Sequence, residues 1–169
     1  MIGQTTWYTC GPAALATLFT YYYGAPVSEQ EFTTLTVNDL ASRGKNANDG
    51  VTLLSLRNAS RTKGMDATGY KLTPDALREM LKSGLPILAN VVQPEDHFTV
   101  VIGIEGDSVL TADPSWGFKV QPMRQFLDAW NGVVLVPAPS KVQEASAKAQ
   151  VAKVLAAYRE RRTRLKSGL

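Results

Sequence analysis

Apolar side chains recur at helical spacing in the first part of the chain. They are Leu15, Leu18, Phe19 and Tyr22, at positions i, i+3, i+4 and i+7 of one segment. Pro12 suits the first turn of a helix, where its missing N–H costs nothing, and Gly24 suits the end of one. The pattern predicts a first helix from Gly11 to Gly24 that turns these four side chains toward the core.

Three further helices are predicted, because a Ser or Thr that can cap a helix precedes each of them. They begin at Ser28, Thr52 and Thr73. The last two are predicted to end at Gly64 and Gly84. The polar segment 38–49 is predicted to be a loop with at most one helical turn.

Runs typical of β-strands dominate after residue 65. They are 66–72, 86–92, 98–105, 108–112 and 132–136. Gly106-Asp107 predicts a tight hairpin turn, and a short helix is expected near 123–130. Helices first and strands afterwards indicate an α+β domain in which N-terminal helices pack on a mainly antiparallel sheet.

The composition changes after Pro139. From Lys141 onward the chain carries eight Lys and Arg residues against two Glu, whereas residues 1–140 carry ten against thirteen Asp and Glu. Apolar residues near helical spacing follow, namely Val151, Val154, Leu155, Tyr158 and Leu165. We predict a domain over 1–139 and a basic amphipathic helical tail over 140–169. This tail either packs on the domain or projects as an interaction arm.

Composition and charge exclude several classes of protein. The single cysteine excludes an internal disulfide, and one Cys with one His is too few for a structural zinc site with four ligands. The formal net charge of +3 comes from the tail, so the preceding domain offers no basic surface for a nucleic acid. No segment has the roughly 20 apolar residues that a membrane span needs. We therefore expect a globular domain with no metal site and no nucleic-acid partner.

The single cysteine, Cys10, lies just ahead of the predicted first helix. The N–H groups and partial positive charge at a helix start favour a thiolate, which is the attacking form of a catalytic cysteine. A lone cysteine is also a common buried structural residue. The position by itself leaves both interpretations open.

His97, the single histidine, stands where a loop meets a strand, and Asp113 lies sixteen positions later. A hairpin turn at Gly106-Asp107 would bring the second strand back beside the start of the first. The carboxylate is then within reach of the imidazole, as in a base with its orienting group. Taken singly, the two would be a structural histidine and an Asp-Pro turn residue.

Gln4 precedes Cys10 by six positions. Its amide is suited to donate to a developing oxyanion beside the Cys10 backbone N–H. Together Cys10, His97 and Asp113 supply a nucleophile, a base and an orienting group. The combination favours catalysis more strongly than any of its members.

These residues resemble the double-glycine-leader cysteine peptidases that process bacteriocins, which are papain-like domains often found at the N-terminus of peptide-exporting ABC transporters. Members pair a Gln with a Cys six positions later, ahead of a helix rich in small residues; here Gln4 and Cys10 are followed by GPAALATLFTYYYG. Their second block is a His with an aromatic and β-branched run, then Asp-Pro and a Gly. Here it is His97-FTVV and, sixteen positions on, Asp113-PSWG. The resemblance covers about residues 1–137.

The resemblance implies a papain-like fold with Cys10 as nucleophile, His97 as general base and acid, Asp113 as orienting group and Gln4 as oxyanion donor. It implies cleavage after a Gly-Gly pair of a leader or secreted protein, through a thioester and without a cofactor. Thr9 departs from the family pattern, because exporter members often have Asp there, and this bears on the local charge.

We expect a stand-alone member of the family, because the basic tail follows where exporters continue into a transporter. Such members occur in Gram-negative secretion operons, including those for functional amyloid. A periplasmic location is therefore expected, with a native signal or anchor missing from this chain, and a cytoplasmic location is the alternative. The expected partners are a peptide or protein substrate with a Gly-Gly site and a secretion-system partner bound through the basic tail.

A Gly-Gly subsite needs a narrow channel, and aromatic residues beside the catalytic positions are candidates for its walls. They are Trp7, Tyr8, Phe98 and Trp116, and core or rim packing is the alternative for each. Two other functions stay open. One is a non-catalytic papain-like module that binds a leader peptide or a secretion partner. The other is a papain-like amide hydrolase or acyltransferase that acts on a non-peptide substrate.

Overall fold

Helices come first along the chain and a six-stranded sheet follows. The structure, a computed structural model, describes residues 1–92 and 95–168. The helices are α1 Cys10–Thr17, α2 Glu29–Ser42, α3 Leu53–Thr62, α4 Pro74–Leu81, α5 Met123–Ala129 and α6 Lys141–Ser167. The strands are β1 Asp66–Lys71, β2 Ile87–Val91, β3 His97–Glu105, β4 Ser108–Asp113, β5 Gly117–Pro122 and β6 Trp130–Ala138.

The strands lie in the order β1-β6-β2-β3-β4-β5, and every neighbouring pair is antiparallel. One face of the sheet packs on α1, α2, α3 and part of α6, and the other packs on α4 and α5. Side chains of β3 alternate between the two faces of the sheet: Phe98 and Val100 enter the first core, and Val101 enters the second. The predicted α+β fold with helices on a mainly antiparallel sheet is confirmed.

Helix α1 lies at the centre of the first core. All four side chains of its predicted stripe are buried, but so is every other residue from Cys10 to Phe19. The helix is therefore enclosed on all sides, because α2 and α3 cover the faces that the sheet leaves free. It begins at Cys10, one residue earlier than predicted. A π-helical turn, Leu18–Tyr22, continues it, and Gly24, with a φ of 64°, ends the helical segment.

Two predictions for individual elements were wrong. Helix α2 runs through to Ser42, so the first part of the predicted loop 38–49 is helical, and Leu40 is buried in the core. Strand β5 was not predicted, because most of its side chains are exposed and lack an apolar run. Its place in the sheet comes from the pairing of Gly117–Pro122 with β4.

Helix α6 packs on the sheet from Ala147 to about Arg159, and its last turns do not. Ala147 and Val151 are buried in the same core as α1, and Arg159 forms an ion pair with Glu105 at 2.7 Å. Leu165, the last of the apolar residues noted near helical spacing, is 75% exposed, because the helix runs past the edge of the core there. The division into 1–139 and 140–169 stays a prediction, and its final residue, Leu169, lies outside the described residues.

None of the described helices is both long enough and apolar enough to cross a membrane.

Candidate active site

The start of α1 presents Cys10 beside uncapped backbone donors. Thr9 is the N-cap residue, but its hydroxyl does not cap the helix. The hydroxyl bonds instead to the backbone N–H and carbonyl of Thr6, at 3.1 and 3.0 Å. The first helical bond joins the Ala13 N–H to the Thr9 carbonyl at 2.9 Å. The N–H groups of Cys10 and Gly11 therefore precede the helical bonding pattern and are suited to receive an anion.

Cys10 is 6% exposed and lines a cleft. The two interpretations of the lone cysteine are thus not exclusive, since the side chain packs against the core and also reaches a cavity. Gly11 permits this close packing, because a Cβ there would lie 2.7 Å from Val51 Cγ2 and 2.9 Å from Leu56 Cδ1.

The imidazole of His97 meets the carboxylate of Asp113 as the sequence predicts. His97 Nε2 lies 2.9 Å from Asp113 Oδ1. Both side chains are largely buried, with 17% and 9% of their surfaces exposed. Because Nε2 is engaged by the carboxylate, Nδ1 is the ring nitrogen left to face Cys10.

The strand register brings this pair together diagonally. The turn at Gly106-Asp107 forms as predicted, but Val100 pairs with Ala112, and a register shift lies between Val101 and Gly103. A simple count of residues from the turn would place His97 directly opposite Asp113. The observed register places the two residues diagonally instead. Diagonal neighbours on one face of an antiparallel pair are within reach of long and aromatic side chains, and this is how the two meet.

The charges at the site support one another. Burial lowers the pKa of His97, but the hydrogen bond to Asp113, the proximity of Cys10 and the charges of both outweigh it and raise this pKa from 6.5 to about 9. Burial raises the pKa of Asp113. The hydrogen bond to His97, the positive charge of His97 and the backbone N–H groups of Ser115 and Trp116 outweigh burial and hold the pKa of Asp113 below its usual value. The favoured state is therefore a protonated imidazole between its two partners.

Gln4 is close to the same site. Its Nε2 donates to the Thr6 carbonyl at 2.9 Å, and its Oε1 accepts from the Ser115 hydroxyl at 2.7 Å. The side chain lines a cleft together with His97 and Asp113. The structure thus brings all four residues predicted as catalytic to one region.

Two clefts meet at the catalytic residues. The first, of about 300 Å³, is lined by Trp7, Tyr8, Cys10, Gly50, Val51, Leu53, Asn90, Asp96, Phe98 and Val133. The second, of about 320 Å³, is lined by Gln4, Trp7, Val91, Glu95, Asp96, His97, Thr99, Thr111, Asp113, Ser115, Trp116, Lys119, Gln121 and Ala129. In the part of the chain that the structure describes, Trp7 and Asp96 are the two residues that line both clefts, so they lie where the clefts adjoin.

The four aromatic residues predicted as substrate-binding all line these clefts. Trp7 and Trp116 are 67% and 82% exposed, whereas Phe98 is buried and also belongs to the core. Sequence reasoning missed the other wall of the first cleft, from Gly50 to Leu53, and missed Asn90. No local motif marks them, because they reach the site only through the packing of α3 and β2.

A central helix that starts at a thiol and faces a sheet carrying the imidazole is the arrangement of papain-like cysteine peptidases. Fold and site place the chain in that class. The chain belongs to the peptidase C39 family, which matches residues 1–142. The resemblance stated from the two sequence blocks is thereby confirmed.

Relatives of known description agree with this family. The chain is 32% identical over 136 residues to the probable functional amyloid protease FapD of Pseudomonas aeruginosa, and the match covers 79% of this chain and 58% of that protein. It is 28% identical over 132 residues to the lactococcin-G-processing and transport ATP-binding protein LagD of Lactococcus lactis, covering 77% of this chain and 17% of that one. The chain therefore spans little more than half the length of the first relative.

A solved structure gives the same result. The double glycine motif protease of an AMS/PCAT transporter, solved with a leader peptide, matches with a TM-score of 0.65 and 27% identity over 83% of this chain and 91% of that one. The peptidase domain of Streptococcus ComA matches with a TM-score of 0.70 at 22% identity over 82% of this chain and 97% of that one, and it supports the fold alone.

Proposed function

We propose that this chain is an endopeptidase that cleaves after a Gly-Gly pair in a leader or secreted protein, with Cys10, His97, Asp113 and Gln4 as its catalytic residues. The observation that carries the proposal is the position of His97. Its Nε2 is fixed by Asp113 at 2.9 Å, and its pKa is raised by Cys10 as well as by Asp113. A thiolate paired with an imidazolium is the reactive state of such enzymes.

The geometry gives each residue a step. The Cys10 thiolate attacks the scissile carbonyl carbon, and the resulting oxyanion receives N–H groups from the Cys10 backbone and the Gln4 amide. As the C–N bond breaks, His97 gives its proton to the leaving amine. Water then attacks the thioester while His97 takes up one of its protons, and the C–S bond breaks. The product acid releases its proton to solvent as a carboxylate, and the Cys10 thiolate is restored beside protonated His97. Asp113 keeps the ring in position throughout.

The two clefts give the substrate a direction. The acyl group stays attached to the sulfur, and the first cleft contains Cys10 but not His97. The leaving amine receives its proton from His97, which lines the second cleft. The segment before the cleaved bond therefore occupies the first cleft, and the segment after it occupies the second. Trp7 and Asp96 line both clefts and therefore lie beside the cleaved bond.

The Gly-Gly preference is supported by relatives. One solved relative is described as a double glycine motif protease and was crystallised with a leader peptide. The apolar residues of the first cleft, among them Val51, Leu53 and Val133, suit apolar side chains ahead of the glycines.

Cleavage of a peptide with an internal Gly-Gly pair tests this function. The wild-type chain should cut it after the second Gly and should cut an Ala-Ala peptide at least about tenfold more slowly. Cys10→Ala should abolish turnover, and Gln4→Ala should lower the rate by about 10²–10³. Full cleavage by Cys10→Ala would disprove the assignment.

The same experiment separates the alternatives. A module that only binds peptides would retain the Gly-Gly peptide without cutting it, and its Cys10 would react with iodoacetamide no faster at about pH 6 than a free thiol. A papain-like hydrolase for non-peptide amides would show the fast alkylation but would cut neither peptide.

We further propose that the exposed end of α6 binds an acidic, apolar segment of a secretion-system partner. Phe118, Val120, Tyr158 and Leu165 line a groove there, together with Arg161 and Arg162. Among the described residues neither arginine forms an ion pair, whereas Arg159 and Arg164 each do. Reversing both charges should impair processing in cells but not cleavage of the Gly-Gly peptide in solution. Lys153→Glu, on an exposed site of the same helix, is the control, and unchanged processing by the double variant would contradict the proposal.

We propose a periplasmic location for this protein, supported by its similarity to a probable functional amyloid protease. Recovery in the periplasmic fraction of the native host is expected, and recovery with cytoplasmic markers would contradict it.

A further inference from the structure

The orientation of the Gln4 amide is fixed at both ends. Its Oε1 accepts from Ser115 Oγ at 2.7 Å, and its Nε2 donates to the Thr6 carbonyl at 2.9 Å. A carbonyl oxygen can only accept, so the atom beside Thr6 must be the nitrogen. The backbone of Gln4 is held as well, because its N–H donates to the Pro114 carbonyl at 3.1 Å.

This orientation leaves one amide hydrogen for the cleft. Nε2 carries two hydrogens, and Thr6 takes one of them. The same Thr6 carbonyl accepts from the backbone N–H of Thr9, the residue before Cys10, at 3.2 Å. The remaining N–H therefore lies beside the turn that leads into Cys10, where the oxyanion would form.

Ser115 belongs to the turn that also holds the base. The backbone N–H groups of Ser115 and Trp116 donate to Asp113 Oδ1 at 2.9 and 3.2 Å. This is the oxygen that His97 Nε2 contacts. One turn, Asp113–Trp116, thus touches the base through its first residue and the oxyanion donor through its third.

We propose that Ser115 is a positioning residue that aims the Gln4 amide at the oxyanion, so that one turn aligns both the base and the oxyanion donor. The proposal rests on the peptidase function above and adds a residue that does not itself contact the substrate's reacting atoms. Without the Ser115 hydroxyl, Oε1 loses its donor and the amide is held at one end only, by the Thr6 carbonyl.

Kinetics of Ser115→Ala test the proposal on the Gly-Gly peptide. Ser115 is exposed, and the backbone N–H that it gives to Asp113 is retained in the variant. We expect kcat to fall about threefold to tenfold, which is the effect of one lost hydrogen bond, while KM stays unchanged. Ser115→Thr keeps the hydroxyl and should restore kcat. Full activity of Ser115→Ala would overturn the proposal.

A double variant separates positioning from a general effect on the turn. In a Gln4→Ala background, Ser115→Ala should cause no further loss, because the amide that it aims is already gone. An equal loss in both backgrounds would show that Ser115 acts through Asp113 and His97 and would overturn the inference. Failure of the wild-type chain to cut the peptide would instead contradict the peptidase function, so the two failures are distinguishable.

Discussion

At the scale of single residues, the site depends on which of two opposing effects on His97 is stronger. Burial of the ring favours its neutral form, whereas Asp113 and Cys10 favour the charged form, and the partners prevail, with a pKa of about 9. A histidine with an ordinary pKa near 6.5 would be mostly neutral at pH 7. The contacts of His97 therefore decide whether the thiolate has a positively charged partner at physiological pH.

The chain has a single histidine, so its ring titration can be followed without assignment. An NMR titration of the ring protons should give a midpoint near 9. Cys10→Ser and Asp113→Asn should each lower the midpoint, because each removes a charge that favours the imidazolium. A wild-type midpoint near 6.5 would contradict the ion pair.

The same shift links stability to pH. Because folding raises the pKa of His97 from 6.5 to about 9, the stabilisation from its charged form is fully present below about pH 6.5 and is lost as the pH rises through about 9. The difference in free energy of unfolding between the wild type and His97→Gln should therefore be about 1–3 kcal/mol at low pH and should shrink across that window. Chemical denaturation at several pH values measures it, and a difference that grows with pH would contradict this sign.

At the scale of elements, α2 anchors the segment that carries Gln4. Glu29, buried in the first turn of α2, accepts from the Thr5 backbone N–H at 2.8 Å and from the Thr5 hydroxyl at 3.0 Å. The segment before α1 has no regular secondary structure of its own. Its shape therefore depends on such contacts with distant elements.

Glu29→Ala should lower both stability and activity. It leaves a Thr5 N–H without its partner, which we expect to cost about 1–3 kcal/mol, and it loosens the segment that holds Gln4. Glu31→Ala is the matched control in the same turn, because Glu31 contacts Ser28 and Lys63 and not the Gln4 segment. We expect Glu31→Ala to leave kcat unchanged. Equal activity of the two variants would show that Glu29 does not anchor the site.

At the scale of the whole molecule, α6 is partly structural. Its first half buries Ala147 and Val151 in the same core as the catalytic helix. Leu155 packs closely over Gly103 in β3, where an added Cβ would lie 3.5 Å from the Leu155 side chain. Its last turns expose Leu165 and several arginines. All but the first two residues of the helix thus lie beyond the 1–142 match to the family, and the helix still completes the core of the domain.

Two truncations measure this division. Removal of residues 141–169 should lower the free energy of unfolding by about 3 kcal/mol or more, because burial of each large apolar side chain contributes roughly 1.5–3 kcal/mol. Removal of residues 164–169 alone should change it by less than about 0.5 kcal/mol. Thermal or chemical denaturation provides the comparison, and equal stability of both products would show that α6 does not support the core.

The sequence alone determined those features of the chain that depend on local spacing. The stripe of α1 is buried, the turn at Gly106-Asp107 forms, and the hairpin returns Asp113 toward His97, because period, turn chemistry and strand direction are local properties. Strand β5 and the end of α2 could not be predicted, because their exposed or polar residues take their conformation from pairing and packing with distant elements.

Only the tertiary structure decided how the site is assembled. The diagonal contact of His97 depends on a register shift in β3, and the orientation of Gln4 depends on Ser115, more than a hundred positions away. The wall of the first cleft comes from α3 and β2, which carry no sequence motif. Side-chain types and local spacing thus identify the chemistry, whereas contacts between segments that are remote in sequence fix its geometry, because only the folded chain brings those atoms within hydrogen-bond distance.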